Sequence, residues 1–143
     1  MTYTYETLTP GHVYRTQRTV TPSDVMLYRT LVGEDTVPAL SCAPEAGYWP
    51  QNPFPTDSDL APNMLILSYV WHVLGTVFPG QGTAIVSLTN LFVSRVRAGG
   101  CVEIEIVVAE KVVRHHQLRV RVAVREGRRL VMAGEAVLMP PSL

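Results

Sequence analysis

Two parts of the chain carry side chains that can move a proton. Asp35 follows the first predicted helix, while Ser68 and His72 lie four residues apart within a strongly apolar stretch. Residues at that spacing share one face of a helix, so Ser68 and His72 can line a polar pocket or simply bond to each other. A carboxylate in an apolar tunnel can act as an acid or a base. The simpler alternatives are an exposed loop carboxylate for Asp35 and a core or interface histidine for His72.

The remaining histidines and the two cysteines suggest no further chemistry. His12, His115 and His116 have no acidic or cysteine partner at ligand spacing, so we expect no metal site. Cys42 and Cys101 make no disulfide framework, which is typical of reduced thiols in a cytoplasmic protein, and nothing near Cys42 would activate it as a nucleophile. The first residues lack the basic and apolar run of a signal peptide.

Composition indicates one globular domain over residues 1–143, with 47% apolar and 17% charged residues. The formal net charge is zero, and the arginines are spread along predicted strands. We therefore expect a solvated sheet face and no nucleic-acid surface. The longest apolar run, Met64 to Phe78, is shorter than the about 20 residues that a membrane span requires, so no membrane partner is expected.

The stretch that contains this run, Asp59 to Phe78, is the centre of the predicted fold. From Met64 onward its apolar residues cover almost the whole circumference of a helix, which must then be buried on most sides. Pro62 suits the first turn, and Pro79-Gly80 ends the helix.

Upstream of this helix we predict a strand, a shorter helix and a long loop. The strand covers His12 to Val20, and the shorter helix begins with Thr21-Pro22 and ends at Gly33. Residues 34–58 hold five prolines and little periodicity, which is typical of a functional loop. Its aromatic residues are expected to roof a pocket or to pack on a partner subunit; they are Tyr48, Trp49 and Phe54.

Downstream of the central helix the sequence predicts four strands. Apolar and polar residues alternate in most of them; the strands are Thr83–Arg95, Cys101–Val113, His116–Val124 and Leu130–Leu138. Short turns between consecutive strands favour antiparallel pairing. The predicted class is α+β, with an antiparallel sheet wrapped around one buried helix.

Three stretches carry a resemblance to a known family. They are Ala61–Ser68, Leu74–Thr83 and Leu91–Gly99, and they resemble the MaoC-like dehydratases and (R)-specific enoyl-CoA hydratases. The resemblance extends loosely over residues 10–140. It implies a hotdog fold, an acyl thioester of coenzyme A or of acyl carrier protein as substrate, no cofactor, and a homodimer with a tunnel for the acyl chain beside the central helix.

The family signature Asp-x-Asn-Pro-x-His supplies an acid and a base, and here it is altered. The matching residues are Asp35 to Leu40, with Leu40 where the family has His; a shift by one residue would make Glu34 the acid. Leucine cannot transfer a proton, so hydration by the usual pair is not expected. The next family motif, His-Gly-Met, reads Pro62-Asn63-Met64, and in the family the amide of the central residue holds the thioester oxygen.

Three functions are therefore open. The first is an enzyme with Asp35 or His72 as catalytic group and a substrate site lined by Leu40, Pro62, Asn63, Met64 and Ser68. The second is a non-catalytic subunit in a heterodimer with a subunit that bears the acid and base; Leu60-Ala61-Pro62 resembles such subunits. The third is a module that binds an acyl ligand without chemistry. Arg95 and Arg97 either meet a phosphate of the carrier or form a solvated strand end.

Overall fold

The computed structural model describes residues 3–32 and 60–143. In chain order the elements of these ranges are β1 (Val13–Thr19), α1 (Pro22–Val32), α2 (Asn63–Thr76), β2 (Ala84–Phe92), β3 (Cys101–Val112), β4 (Gln117–Glu126) and β5 (Arg129–Met139). A short 3₁₀ turn, Val113–His115, joins β3 to β4. Each lies close to its predicted position. Several residues to which the sequence assigns a role lie outside the described residues. They are Glu34, Asp35, Leu40, Cys42, Tyr48, Trp49 and Phe54.

The strands form one antiparallel sheet in the order β1-β3-β4-β5-β2. Consecutive pairing is confirmed for β3, β4 and β5, but the prediction that β2 pairs with β3 is wrong, because β2 lies beside β5 at the far edge. The reason is the connection after β2. The backbone of this connection bonds first to β5 through Val93 and later, through Gly99, to Val20, which lies between β1 and α1. It therefore crosses the end of the sheet instead of forming a hairpin.

One face of the sheet packs on α2, and the alternation in the strands places the core there. On β3, for example, Val102, Ile104 and Ile106 are buried while Glu103 and Glu105 lie on the opposite face. The buried residues of α2 are Leu65, Ile66, Tyr69, Val70, Val73 and Leu74. These side chains form the core that holds α2 against the sheet.

The prediction that α2 is buried on most sides is wrong for one stripe along the helix, which is exposed. Met64 and Trp71, one above the other along the helix, are 53% and 52% exposed. Periodicity showed that the whole circumference is apolar, but it could not show which part the rest of the chain covers. No helix in the described ranges is long and apolar enough to cross a membrane.

The start of α1 follows the sequence prediction. The backbone N–H of Asp24 donates a hydrogen bond of 3.0 Å to the Thr21 hydroxyl, which caps the helix. Val25 is the residue that α1 buries. Most of α1 therefore lies on the surface.

Candidate functional site

The chain enters α2 through a short buried segment, Leu60–Pro62. The N–H of Ala61 donates a hydrogen bond of 2.7 Å to the carbonyl of Val96, and Leu60 forms an isolated antiparallel bridge with Arg97. Ala61 is only 1% exposed. The segment is thus held like a strand against the connection that follows β2, and this contact places the first turn of α2.

Two arginines bind the backbone carbonyls of this segment. Arg95 donates from Nε and from Nη2 to the oxygen of Ala61, at 3.2 and 3.1 Å, and Arg29 of α1 donates to the oxygen of Leu60 at 3.1 Å. Buried carbonyls require such partners because water cannot reach them. Arg95 therefore bonds to the backbone of the chain itself, which is neither of the two alternatives drawn from the sequence.

The first turn of α2 offers two backbone N–H groups. Leu65 donates to the carbonyl of Pro62 at 3.0 Å, but among the described residues the amides of Asn63 and Met64 have no hydrogen-bond partner. Pro62 precedes the helix and supplies no side-chain cap, and the first turn holds no acidic residue. Free amides at the positive end of a helix can bind a carbonyl oxygen that gains negative charge, or an anion.

An apolar groove of about 560 Å³ runs along the uncovered stripe of α2. Its walls are Met64, Leu67, Ser68, Trp71, His72, Gly75 and Thr76. The groove is thus lined by two residues predicted for the substrate site, Met64 and Ser68, and by His72, which was predicted as a catalytic group. The groove runs from Met64, in the first turn of α2, to Thr76 at the end of the helix.

Ser68 and His72 line the groove separately. The Ser68 hydroxyl donates to the carbonyl of Leu65 at 2.6 Å, and the His72 ring lies 3.4 Å from the hydroxyl of Thr76. The two side chains do not bond to each other, and the groove that they line is apolar and not the polar pocket that the sequence suggested. His72 is also nine residues beyond Asn63, which is roughly 13 Å along a helix axis, so the two do not meet.

A polar cluster beneath the site joins β1, α1 and α2. Asp24 Oδ2 accepts a hydrogen bond of 2.7 Å from the Tyr69 hydroxyl and one of 3.3 Å from Arg18 Nη2. The Arg18 guanidinium carbon lies 4.2 Å from the centre of the Tyr69 ring, a cation–π contact. Sequence reasoning missed this cluster. The capping position of Asp24 was visible, but its partner lies 45 residues further along the chain.

These contacts shift the ionisation of both partners. The hydrogen bond from Tyr69, aided by Arg18, holds the pKa of Asp24 below its ordinary value of 3.8 although partial burial opposes the shift. Burial, with the neighbouring carboxylate, raises the pKa of Tyr69 to about 12. Asp24 is therefore charged and Tyr69 is a neutral donor at neutral pH, so the cluster is a fixed structural link between the two helices.

The other histidines and the described cysteine lie away from the groove. His12 packs edge-on against Tyr3 and Phe78, with ring centres 5.3 and 5.1 Å apart, and His116 packs on Tyr5 at 4.8 Å. Cys101 is a free, exposed thiol. Within residues 3–32 and 60–143, no group of three His, Cys, Asp or Glu side chains is placed to hold a metal ion.

Comparison with known proteins supports the fold and the resemblance. No protein-family model matches the chain. It is 28% identical to a 3-hydroxybutyryl-CoA dehydratase from Methylorubrum extorquens. The alignment spans 137 residues and covers 96% of this chain and 83% of that protein. The R-hydratase PhaJ1 from Pseudomonas aeruginosa superposes with a TM-score of 0.79 at 23% identity, covering 99% of this chain and 88% of that one.

A third relative agrees with these two. The (R)-hydratase from A. caviae that is involved in PHA biosynthesis superposes with a TM-score of 0.75 at 20% identity, over 95% of this chain and 99% of that one. The protein is therefore a hotdog-fold protein of the α+β class. Its resemblance to the MaoC-like hydratases, first seen in the residues around α2, is confirmed over nearly the whole chain.

Proposed function

We propose that this protein acts on an acyl thioester of coenzyme A or of acyl carrier protein. The reaction is that of a divergent MaoC-like dehydratase or hydratase, or a lyase, isomerase or cyclase reaction that reuses the same site. The observation that carries the proposal is that the amides of Asn63 and Met64 have no partner among the described residues, on a helix whose Met64 also lines an apolar groove. The similarity to a 3-hydroxybutyryl-CoA dehydratase over 96% of the chain supports the choice of substrate.

In this proposal the thioester oxygen accepts hydrogen bonds from the first-turn amides of α2. When a proton leaves the α-carbon, negative charge moves onto that oxygen, and donors fixed in place before the reaction stabilise it most effectively. The α2 dipole adds to the effect because its positive end faces the oxygen. Pro62 and Met64 form the apolar walls beside the reacting carbons, and the acyl chain lies along the groove past Ser68.

In this proposal Asp35 is the group that accepts the proton from the α-carbon. A positioned carboxylate can take the proton from the α-carbon and return it, which is general base and then general acid catalysis. Leu40 then lines the site without taking part in proton transfer. His72 lies roughly 13 Å along the helix from Asn63, so its proposed catalytic role applies to a carbon farther along the acyl chain than the α-carbon.

We also propose a homodimer that forms through the β2 edge of the sheet. The two edges differ in character: β1 exposes Arg15 and Arg18, whereas β2 exposes Val86 and Leu91. Charged edge strands resist pairing with another chain, and apolar edge strands invite it. A second β2 would bury these side chains, and the same edge would serve a heterodimer with a related hotdog subunit.

A second candidate function is that of a non-catalytic subunit. The observation that favours it is the loss of the family histidines at two positions, where this chain has Leu40 and Pro62. Such a subunit would still bind a thioester at the amides of α2. Its partner subunit would supply the acid and the base.

Turnover by the purified chain separates the two functions. The protein is incubated with trans-2-enoyl and 3-hydroxyacyl thioesters of several chain lengths, each on coenzyme A and on acyl carrier protein, and products are identified by mass spectrometry. Conversion by the chain alone supports the enzyme. Conversion only after a subunit with an intact acid and base is added supports the second function. Binding without conversion in both mixtures would contradict both.

A further inference from the structure

We infer that Arg95 and Arg29 are positioning residues that aim the first-turn amides of α2. The inference rests on the proposed function, because it assigns these amides to a thioester oxygen. The resemblance in sequence places the site at Asp35 and at the start of α2. The inference adds two arginines to these residues. Neither arginine needs to touch the substrate in this role.

The start of α2 lacks the usual means of fixing a first turn. Most helices begin with a side chain that accepts a hydrogen bond from the second or third amide, which satisfies that amide and sets its direction. Here Pro62 occupies the cap position and makes no such bond. The amides of Asn63 and Met64 therefore stay available, but another contact must determine where they point.

The contacts of Arg95 and Arg29 supply that direction from the preceding peptides. Arg95 holds the Ala61 carbonyl with two donors, and Arg29 holds the Leu60 carbonyl with one. The planar guanidinium fork makes the first contact directional, which a lysine ammonium cannot reproduce. Both carbonyls belong to buried residues, so these bonds have little competition from water.

The chain between the fixed carbonyl and the amide of Asn63 is stiff. The Ala61 carbonyl belongs to the peptide that joins Ala61 to Pro62, and the next peptide carries the Asn63 N–H. Between the two planes lie only the φ and ψ angles of Pro62, which are −58° and 141°. The proline ring locks φ near its observed value, so one soft angle remains. A tilt of the Ala61 carbonyl is therefore passed on to the amide.

The two arginines also come from different parts of the fold. Arg29 lies on the last turn of α1, and Arg95 lies in the connection that follows β2. The entry to α2 is thus clamped between the surface helix and the end of the sheet. Both side chains are guanidinium cations, and they reinforce the positive end of α2 without occupying its amides.

The test measures the carbonyl of a bound thioester, a signal that depends on the amides more than on the overall stability of the protein. The probe is butyryl-CoA with ¹³C at the carbonyl, and its infrared band is compared free and bound at saturation. In the wild-type protein we expect a shift to lower frequency, which reports hydrogen bonding to the oxygen. In Arg95→Met we expect most of that shift to disappear, while the affinity for butyryl-CoA changes by less than about tenfold since most binding contacts remain.

Two further variants complete the test. Arg95→Lys keeps the charge but loses the fork, so it should recover less than half of the wild-type shift if direction is the property that matters. Arg121→Met removes an exposed arginine of β4 on the sheet and should leave the bound band unchanged. If Arg95→Met fails to fold, Arg29→Met is measured instead, with a smaller loss of shift expected because one hydrogen bond is removed rather than two.

Different results would overturn the proposed function and this inference. A wild-type protein that binds no acyl-CoA, or binds it with an unshifted carbonyl, would overturn the proposed function and this inference with it. A wild-type shift that Arg95→Met and Arg29→Met both retain in full would overturn this inference alone. Full recovery by Arg95→Lys would also overturn it, because charge and not direction would then be sufficient.

Discussion

Replacing Tyr69 by Phe removes the hydroxyl that links α2 to α1 and leaves the buried ring in place. A hydrogen bond to a charged group contributes about 1.5–3 kcal/mol to stability. The Asp24 side chain is 25% exposed and keeps its contact with Arg18, so the loss should fall at the low end of that range. We expect Tyr69→Phe to lower the free energy of unfolding by about 1–2 kcal/mol at pH 7.

The same variant should show a defined dependence on pH. The pKa of Asp24 is depressed in the folded protein below 3.8, so its charge-dependent stabilisation is fully present above that value and is lost as the pH falls through the folded pKa. Tyr69 contributes to this stabilisation by bonding to the charged form. The difference between wild type and Tyr69→Phe should therefore be constant from neutral pH down to the ordinary pKa of Asp and should shrink in stronger acid.

Urea denaturation at several pH values measures both effects. Tyr14→Phe is the matched control: Tyr14 stacks on Phe78, and its hydroxyl has no hydrogen-bond partner among the described residues. It should change the free energy of unfolding by less than about 0.5 kcal/mol. Equal losses in the two variants, or a Tyr69→Phe loss that does not shrink in acid, would refute the role assigned to the Asp24 carboxylate.

Two further predictions test the packing and the edge of the sheet. A Cβ at Gly134 would overlap the backbone oxygen of Thr89, whereas a Cβ at Gly75 of α2 meets nothing within 4 Å. In thermal unfolding, Gly134→Ala should therefore lower the free energy of unfolding by about 1–3 kcal/mol. Gly75→Ala should raise it by up to about 1 kcal/mol. A Gly75→Ala variant that is less stable than Gly134→Ala would contradict the close approach of β2 and β5. At the proposed dimer edge, Leu91 is 68% exposed, so Leu91→Lys should shift the protein towards monomer in analytical ultracentrifugation while Val13→Lys, at the β1 edge, should not. A dimer that survives Leu91→Lys unchanged would move the interface away from β2.

The sequence was sufficient for the strands because their alternation is local. The pattern Val102, Ile104, Ile106 identifies both a strand and its buried face, and all three residues are buried. The place of β2 in the sheet was not readable in this way. It depends on how the connection after β2 bonds to β5 and to Val20, between β1 and α1, and no periodicity encodes those contacts.

The candidate site was predictable in part. The altered motif Pro62-Asn63-Met64 directed attention to the start of α2, where two amides have no partner among the residues that the structure describes. The clamp by Arg29 and Arg95 was not predictable, because its donors lie 31 and 34 residues away from the carbonyls that they bind. Long-range contacts of single side chains leave no signal in the spacing of one sequence.

The central claim is that an acyl thioester loses its α-proton to Asp35 while the amides of α2 hold its oxygen. Its most direct test is the incorporation of deuterium from D₂O at the α-carbon of 3-hydroxybutyryl-CoA, followed by mass spectrometry. The wild-type protein should incorporate deuterium. Asp35→Asn should slow the incorporation by at least about 100-fold, since a positioned general base contributes that much, and the adjacent Glu34→Gln should not. No incorporation by the wild type, or an undiminished rate in Asp35→Asn, would contradict the claim.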